Sequence, residues 1–258
     1  MAKDIREVIA LEEKFAAEAQ NSQATAWLES LRIQIAFGRR KGYLRARLPK
    51  LTPENPGLPQ PETPTTETVT FIDQEREALL GDGAVLYLPA GETIRGQIEA
   101  GREFGYVFNG GERLLDFPSR RIEVAIYPDP ERFFVPGSFN KTTDKQDALM
   151  EQDAESLRKR LCLGGITMVR PEAPEVTEVI FKHFDATQVR LLGKDYMEQA
   201  GGYYPYIRTS TPTNKTGSVL ADVGHFAAGY GPHVGDWHRD DRDVFLAGAR
   251  WVVPQRSR

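Results

Sequence analysis

Residues Gly201–Gln255 read GGYYPYIRTSTPTNKTGSVLADVGHFAAGYGPHVGDWHRDDRDVFLAGARWVVPQ. Three of the four histidines (His225, His233, His238), five aspartates, four tyrosines and two of the three tryptophans fall in this stretch. Glycines separate these groups, and short apolar runs such as Ala249–Pro254 alternate as strands do. Polar and aromatic groups held on glycine-spaced loops suit a recognition surface, with Tyr and Trp supplying rigid contact area and donors at low entropic cost. Trp251, inside the alternating tail, reads as core. Tyr230 and Trp237, flanked by Gly and Asp, read as surface.

Working back from this stretch, the body from residue 69 alternates helical and strand patterns. A short helix is expected around 73–80, a strand at 84–88, a short helix at 92–100 and a half-buried alternating strand at 121–127. Phe104–Phe108, Asn109-Gly110-Gly111 and Arg113–Phe117 give the strongest hairpin signal in the chain. The aromatic loop 133–140 is expected to pack. The clearest helix runs from Thr143 to about Leu163, with Thr143 and Gln146 as a capping box, a buried stripe of Met150, Ala154, Leu157 and Leu161, and Gly164-Gly165 as its stop. Strands are expected at 166–169, 176–184 (with His183 as a packed histidine) and 188–192. The fold class is therefore α+β, with mostly antiparallel strands and one long helix.

Upstream, residues 51–68 carry five prolines and almost no large apolar residue, the composition of a semi-extended linker. Residues 1–50 show two amphipathic helical patterns, too short to bury their stripes alone, and read as a docking or homo-oligomerisation foot. The expected domains are this foot, the linker at 51–68, and a ligand-recognition body at 69–258. Seven Lys and Arg with no acid lie between residues 30 and 50; they read as a solvated helix end, with a grip on phosphates or an acidic partner face as the alternative. A net charge of −4 offers no general case for nucleic-acid binding.

The opening MAKDIREVIALEEKF is acidic where a secretory signal is apolar, and no apolar run is long enough for a bilayer. A soluble chain, cytoplasmic or assembled into a particle, is expected. One cysteine, Cys162, excludes an internal disulfide and reads as a small buried hydrophobe. No P-loop, dinucleotide glycine fingerprint, G-x-S-x-G elbow or H-E-x-x-H pair occurs.

Three functional readings follow. The first is a non-enzymatic recognition protein without a cofactor, engaging a protein or glycan ligand through Tyr230, His233, Asp236, Trp237, His238 and Asp240. The second is a metal-dependent hydrolase, with His225, His233 and His238 holding a divalent ion. In the third, the chain is a structural subunit of a larger assembly.

Leu88-Pro89 ahead of Glu92, Tyr203-Tyr204-Pro205-Tyr206 with Thr209–Pro212, the loop region 217–243 and the closing Gly248–Val253 together resemble C-type-lectin-like modules. The resemblance is to the formylglycine-generating-enzyme-type branch, which includes variable proteins of diversity-generating retroelements. It implies a lectin-like body whose penultimate loops, here about Tyr230 to Asp243, carry the ligand surface. The cysteine pair of the active enzymes is missing, so the resemblance does not carry their activity over. The Gly-Gly-Ser-Trp core strand is missing as well.

Overall fold

In Arg121–Tyr127, RIEVAIY, residues Val124–Ile126 form a strand, and every side chain from Glu123 to Tyr127 is buried, so a core must lie on each face. The computed structural model describes residues 68–108 and 112–255, and shows both cores. The expected helical foot at 1–50, all but the last residue of the linker at 51–68, and the Asn109-Gly110-Gly111 turn lie outside the described residues.

In chain order the elements are α1 (Asp73–Gly81), β1 (Val85–Tyr87), α2 (Ile94–Glu99), β2 (Tyr106–Val107), α3 (Glu112–Asp116), β3 (Val124–Ile126), α4 (Pro130–Phe133), α5 (Thr143–Leu161), β4 (Ile166–Met168) and α6 (Ala173–Thr187). Two short 3-10 turns, Lys194–Tyr196 and Glu198–Ala200, lead to β5 (Tyr206–Pro212), β6 (Val219–Gly224), β7 (His233–His238), β8 (Leu246–Ala247) and β9 (Val252–Pro254). The α+β class is as the sequence predicts.

One sheet has the order β1-β3-β9-β4 and is antiparallel throughout. Alternation along β3 and β9 divides their side chains between the two cores. Val124, Ile126 and Val253 join α6 and the second sheet, whereas Ala125, Tyr127 and Val252 join α1 and α5. The strand expected to be half-buried is thus buried on both sides. The second sheet, β2-β7-β6-β5-β8, is antiparallel inside and gains a short parallel strand at each edge.

Helix α5 buries Met150, Ala154 and Leu157 of its expected stripe, Leu161 at its end is only half-buried, and Cys162 ends it in the left-handed conformation at φ 55°. Its start differs. Thr142 is the N-cap, while the Thr143 hydroxyl donates to the Arg239 carbonyl at 2.7 Å. The Gln146 amide donates to the carbonyls of Ser138 and Leu246, so both expected capping residues instead tie distant chain to the helix. Cys162 is exposed, not buried, because it sits on the turn that leaves the helix.

Three other expectations are corrected. Residues 176–184 are helix, within α6, not a strand. Their β-branched content imitates a strand, but Val176, Val179, Ile180 and His183 repeat at i, i+3, i+4 and i+7, and all four are buried. Pro174 sits in the first turn, and Glu172 with Glu175 forms the capping box. Residues 188–192 are not a strand, since Gln188 and Leu192 adopt φ 61° and 63°. The hairpin at 104–117 does not form: β2 pairs in parallel with β7, and α3 follows, with Leu114 fully buried.

Trp251, 1% exposed among the residues shared by α6 and both sheets, is the largest fully buried side chain. Trp251→Ala is expected to lower unfolding free energy by about 3–5 kcal/mol, measured by urea denaturation. A loss under about 1 kcal/mol would mean this core is not formed as described.

Candidate functional site

The antiparallel register of β5, β6 and β7, extended by β2, lays out rows of residues across the second sheet. Tyr206 pairs with Gly224, Gly224 with His233, and His233 with Tyr106. Directly paired residues share a face, so Tyr206, His233 and Tyr106 lie on one side with no side chain at Gly224 between them. The next row, Arg208–Asp222–Gly235, lies on the same face.

His233 is held from both sides. Its Nδ1 is 3.3 Å from the Tyr206 hydroxyl, and its Nε2 edge fills space that a side chain at Gly105 would occupy, since a Cβ there would approach to 2.7 Å. His225, just past β6, adopts φ 51° and turns its ring onto that of His233, with centroids 4.3 Å apart. Tyr204 stacks on the other side of His225 at 4.2 Å. Burial holds both imidazoles neutral: His225 is pushed down to about 4, and His233, with the His225 charge adding to burial, to about 3. Burial raises the hydroxyls of Tyr106, Tyr204 and Tyr206 above the usual phenol range. The cluster therefore offers neutral donors and acceptors near pH 7.

Asp222, packed over Gly235, is pushed up to about 7 by burial, with the Asp236 charge adding and Arg208 opposing. Arg208 is pulled down to about 10 by burial, and the charge of Arg170 adds. It donates to the carbonyls of His238 at 2.9 Å and Asp241 at 2.8 Å, which pins the turn after β7.

The residues singled out from sequence separate as follows. His225, His233 and Tyr230 gather at the end where β6 leaves and β7 begins, with Tyr230 exposed in the connection. Asp236 is half-buried on the face opposite His233, as strand alternation requires. Trp237, expected at the surface, is buried against Phe245, their rings 5.4 Å apart, because it shares the His233 face under the 239–245 strap. His238 and Asp240 lie together at the far end, where the Asp240 amide is 3.3 Å from His238 Nδ1. At about 3.3 Å per residue, five residues of strand put His238 roughly 17 Å from His233. The structure does not bring the three histidines together, and among the described residues no group of three or more His, Cys, Asp or Glu is placed to hold a metal ion.

The same β6–β7 connection forms a wall of a cleft of about 240 Å³. Phe226, Tyr230 and Gly231 face Phe181, Phe184 and Asp185 of α6, with Arg190 and the segment 101–103 completing it. The Arg190 guanidinium lies over Phe184 at 4.4 Å and 5.7 Å from the Phe226 ring centre. Arg102 lies over Phe181 at 5.2 Å and bonds both oxygens of Asp185. Sequence reading missed Tyr106, Arg190 and this cleft, because each depends on chain segments distant in sequence. The tyrosines at 203–206, Tyr230 and the histidines at 225 and 233 were visible in the sequence as a polar, aromatic concentration. No family model, curated protein or solved structure matches this chain.

The depressed histidines set a pH dependence. Below about pH 6.5 the unfolded chain takes a proton on each of His225 and His233 that the folded chain refuses until about 4 and 3, so their contribution to stability is lost as pH falls. Asp222 acts oppositely: its folded carboxyl keeps a proton up to about pH 7, so its contribution is present at low pH and lost as pH rises through 7. These two histidines and Asp222 together contribute about 1.4 kcal/mol per pH unit between roughly pH 6.5 and 4, and Glu172, pushed up to about 7 by burial with the Glu175 charge adding, acts in the same direction as Asp222. His233→Asn is expected to lower the slope of unfolding free energy against pH by about 1.4 kcal/mol per unit in denaturant titrations. An unchanged slope would mean that His233 titrates normally in the folded chain.

Proposed function

We propose that this chain is a non-enzymatic recognition protein whose body engages a protein or glycan ligand at the end of the second sheet where β5 and β7 begin. The observation that carries this reading is the clustering of exposed rings there. Tyr106 (46% exposed) stands beside His233, Tyr203 (48%) precedes β5 by three residues, and Tyr230 (37%) precedes β7 by three. Large rings that stay in water on a folded monomer, next to polar groups with hydrogen-bonding capacity, are the composition of contact hot spots. The neutral imidazole of His225 and the Tyr204 ring stacked on it add a polar and an aromatic contact at the same place. The lectin-like resemblance puts its ligand loops at about 230–243, which overlaps this end at Tyr230 and His233.

The foot at 1–50 is proposed to join several bodies, so that weak single contacts are multiplied by effective concentration. Native mass spectrometry of the full chain is then expected to give a multiple of 29.0 kDa. A single-chain mass would remove that role from the foot.

The surface itself is tested on arrayed glycans and arrayed proteins with the full chain and with the combined Tyr106→Ser, Tyr203→Ser, Tyr230→Ser variant. The variant is expected to bind the array ligand at least about tenfold more weakly. Its Tm is expected to stay within about 2 °C, as suits exposed positions. Equal binding by the variant would overturn the reading.

A further inference from the structure

The cleft beside Tyr230 holds a guanidinium that has no carboxylate or carbonyl of the described residues on its N–H groups. Among the described residues, every other arginine withdrawn from full exposure sets its guanidinium on a carboxylate or, for Arg208, on two backbone carbonyls. Arg190 does neither. Its Nε is fully buried without an acceptor, although a buried donor left unpaired opposes folding. A position just past the α6 C-terminus favours positive charge. That preference would be met by bonds to the helix carbonyls, and the Arg190 side chain makes none.

We infer that the cleft between the end of α6 and the β6–β7 connection is a subsite for a carboxylate carried on a flat ring, bound in a fork by Arg190. The guanidinium is fixed in plane by Phe184 beneath it and Phe226 beside it, so its N–H edge is oriented before a ligand arrives. A planar fork fixed in this way matches the two oxygens of a carboxylate. Phe226 and Tyr230 supply aromatic contact for the ring that bears it.

Charge and size narrow the ligand. Arg102 is already committed to Asp185, and Glu103 also lines the cleft, so the two arginines and two acids there sum to zero. A monoanion is tolerated in such surroundings better than a phosphate dianion, which two nearby carboxylates repel. A volume of about 240 Å³ lies below the usual range for drug-sized ligands, and fits one ring with its carboxylate. This inference goes beyond the recognition reading, because it assigns a small aromatic carboxylate to a cleft that shares only Tyr230 with the proposed protein or glycan surface.

The test titrates the full-length protein with sodium benzoate, followed by amide shifts and by calorimetry, with inorganic phosphate and phenyl phosphate as comparison ligands. Benzoate is expected to saturate with a Kd on the order of 1 mM, as suits a ligand of its size. Arg190→Met is expected to weaken it at least about tenfold, and Arg190→Lys, which keeps the charge and loses the fork, by less. The Lys variant serves if the Met variant fails to fold. Shifts that do not saturate, or unchanged affinity in either variant, would overturn the subsite. Tighter binding of phosphate or phenyl phosphate than of benzoate would overturn its carboxylate chemistry. Failure here leaves the Tyr106 and Tyr203 surface standing, whereas failure of the tyrosine variant to change array binding leaves benzoate binding to Arg190 intact.

Discussion

The last strand, β9, runs between β3 and β4 and buries both of its faces, and the rest of the body is arranged around that double burial. Val252 completes the core under α1 and α5, and Val253 completes the core under α6. A sheet with no wet face needs cover on each side, which one helix cannot provide. Helix α5 and helix α6 therefore take opposite sides, and the second sheet closes the α6 side. Val252 and Val253 thus place consecutive residues of β9 in different cores, while the strand pairs with β3 and β4.

On the second sheet the same logic of faces decides which polar groups meet. Ile207, Val223 and Val234 point into the α6 core, so Tyr206, Asp222 and His233 must share the other face. That face is covered by the strap 239–245, and Arg208 is what holds the strap. A buried guanidinium needs acceptors, and the carbonyls of His238 and Asp241 provide them. The strap is also tied to the start of α5 through Thr143, and β8 just after it through Gln146. Asp222 lies next to Arg208 in the same row, with Gly235 leaving room for it. Trp237 and Phe245 are packed away by this arrangement, and the end of the sheet near Tyr206 is left more open.

The β6–β7 connection is where the two functional readings meet. Its first residue, His225, turns into the tyrosine and histidine cluster, and the next, Phe226, turns into the arginine cleft. The left-handed backbone at His225 makes that division possible, because an extended residue there would continue the strand. The ligand surface proposed at Tyr106, Tyr203 and Tyr230 would then have the neutral tyrosine and histidine cluster and the Arg190 cleft on either side of the same connection.

Local pattern was enough for the class and for several elements. Helix α5 was readable from Met150, Ala154 and Leu157 at helical spacing, β3 from the alternation of RIEVAIY, and Trp251 as core from the tail around it. The tyrosines at 203–206 and the histidines at 225 and 233 were visible as a polar, aromatic concentration. Tertiary structure decided what local pattern could not. The β-branched residues of α6 resemble a strand, yet they fold as a helix buried over its whole first half, capped by Glu172 and Glu175, and the edge strand β2 took a parallel partner more than a hundred residues away in place of its neighbour. The same holds for function. Strand period fixed His233 and His238 at opposite ends of β7, and Tyr106 and Arg190 reached their places through non-local contacts. Composition and spacing determine which groups a chain has, but which of them face one another is set by the register and the faces of the folded sheet.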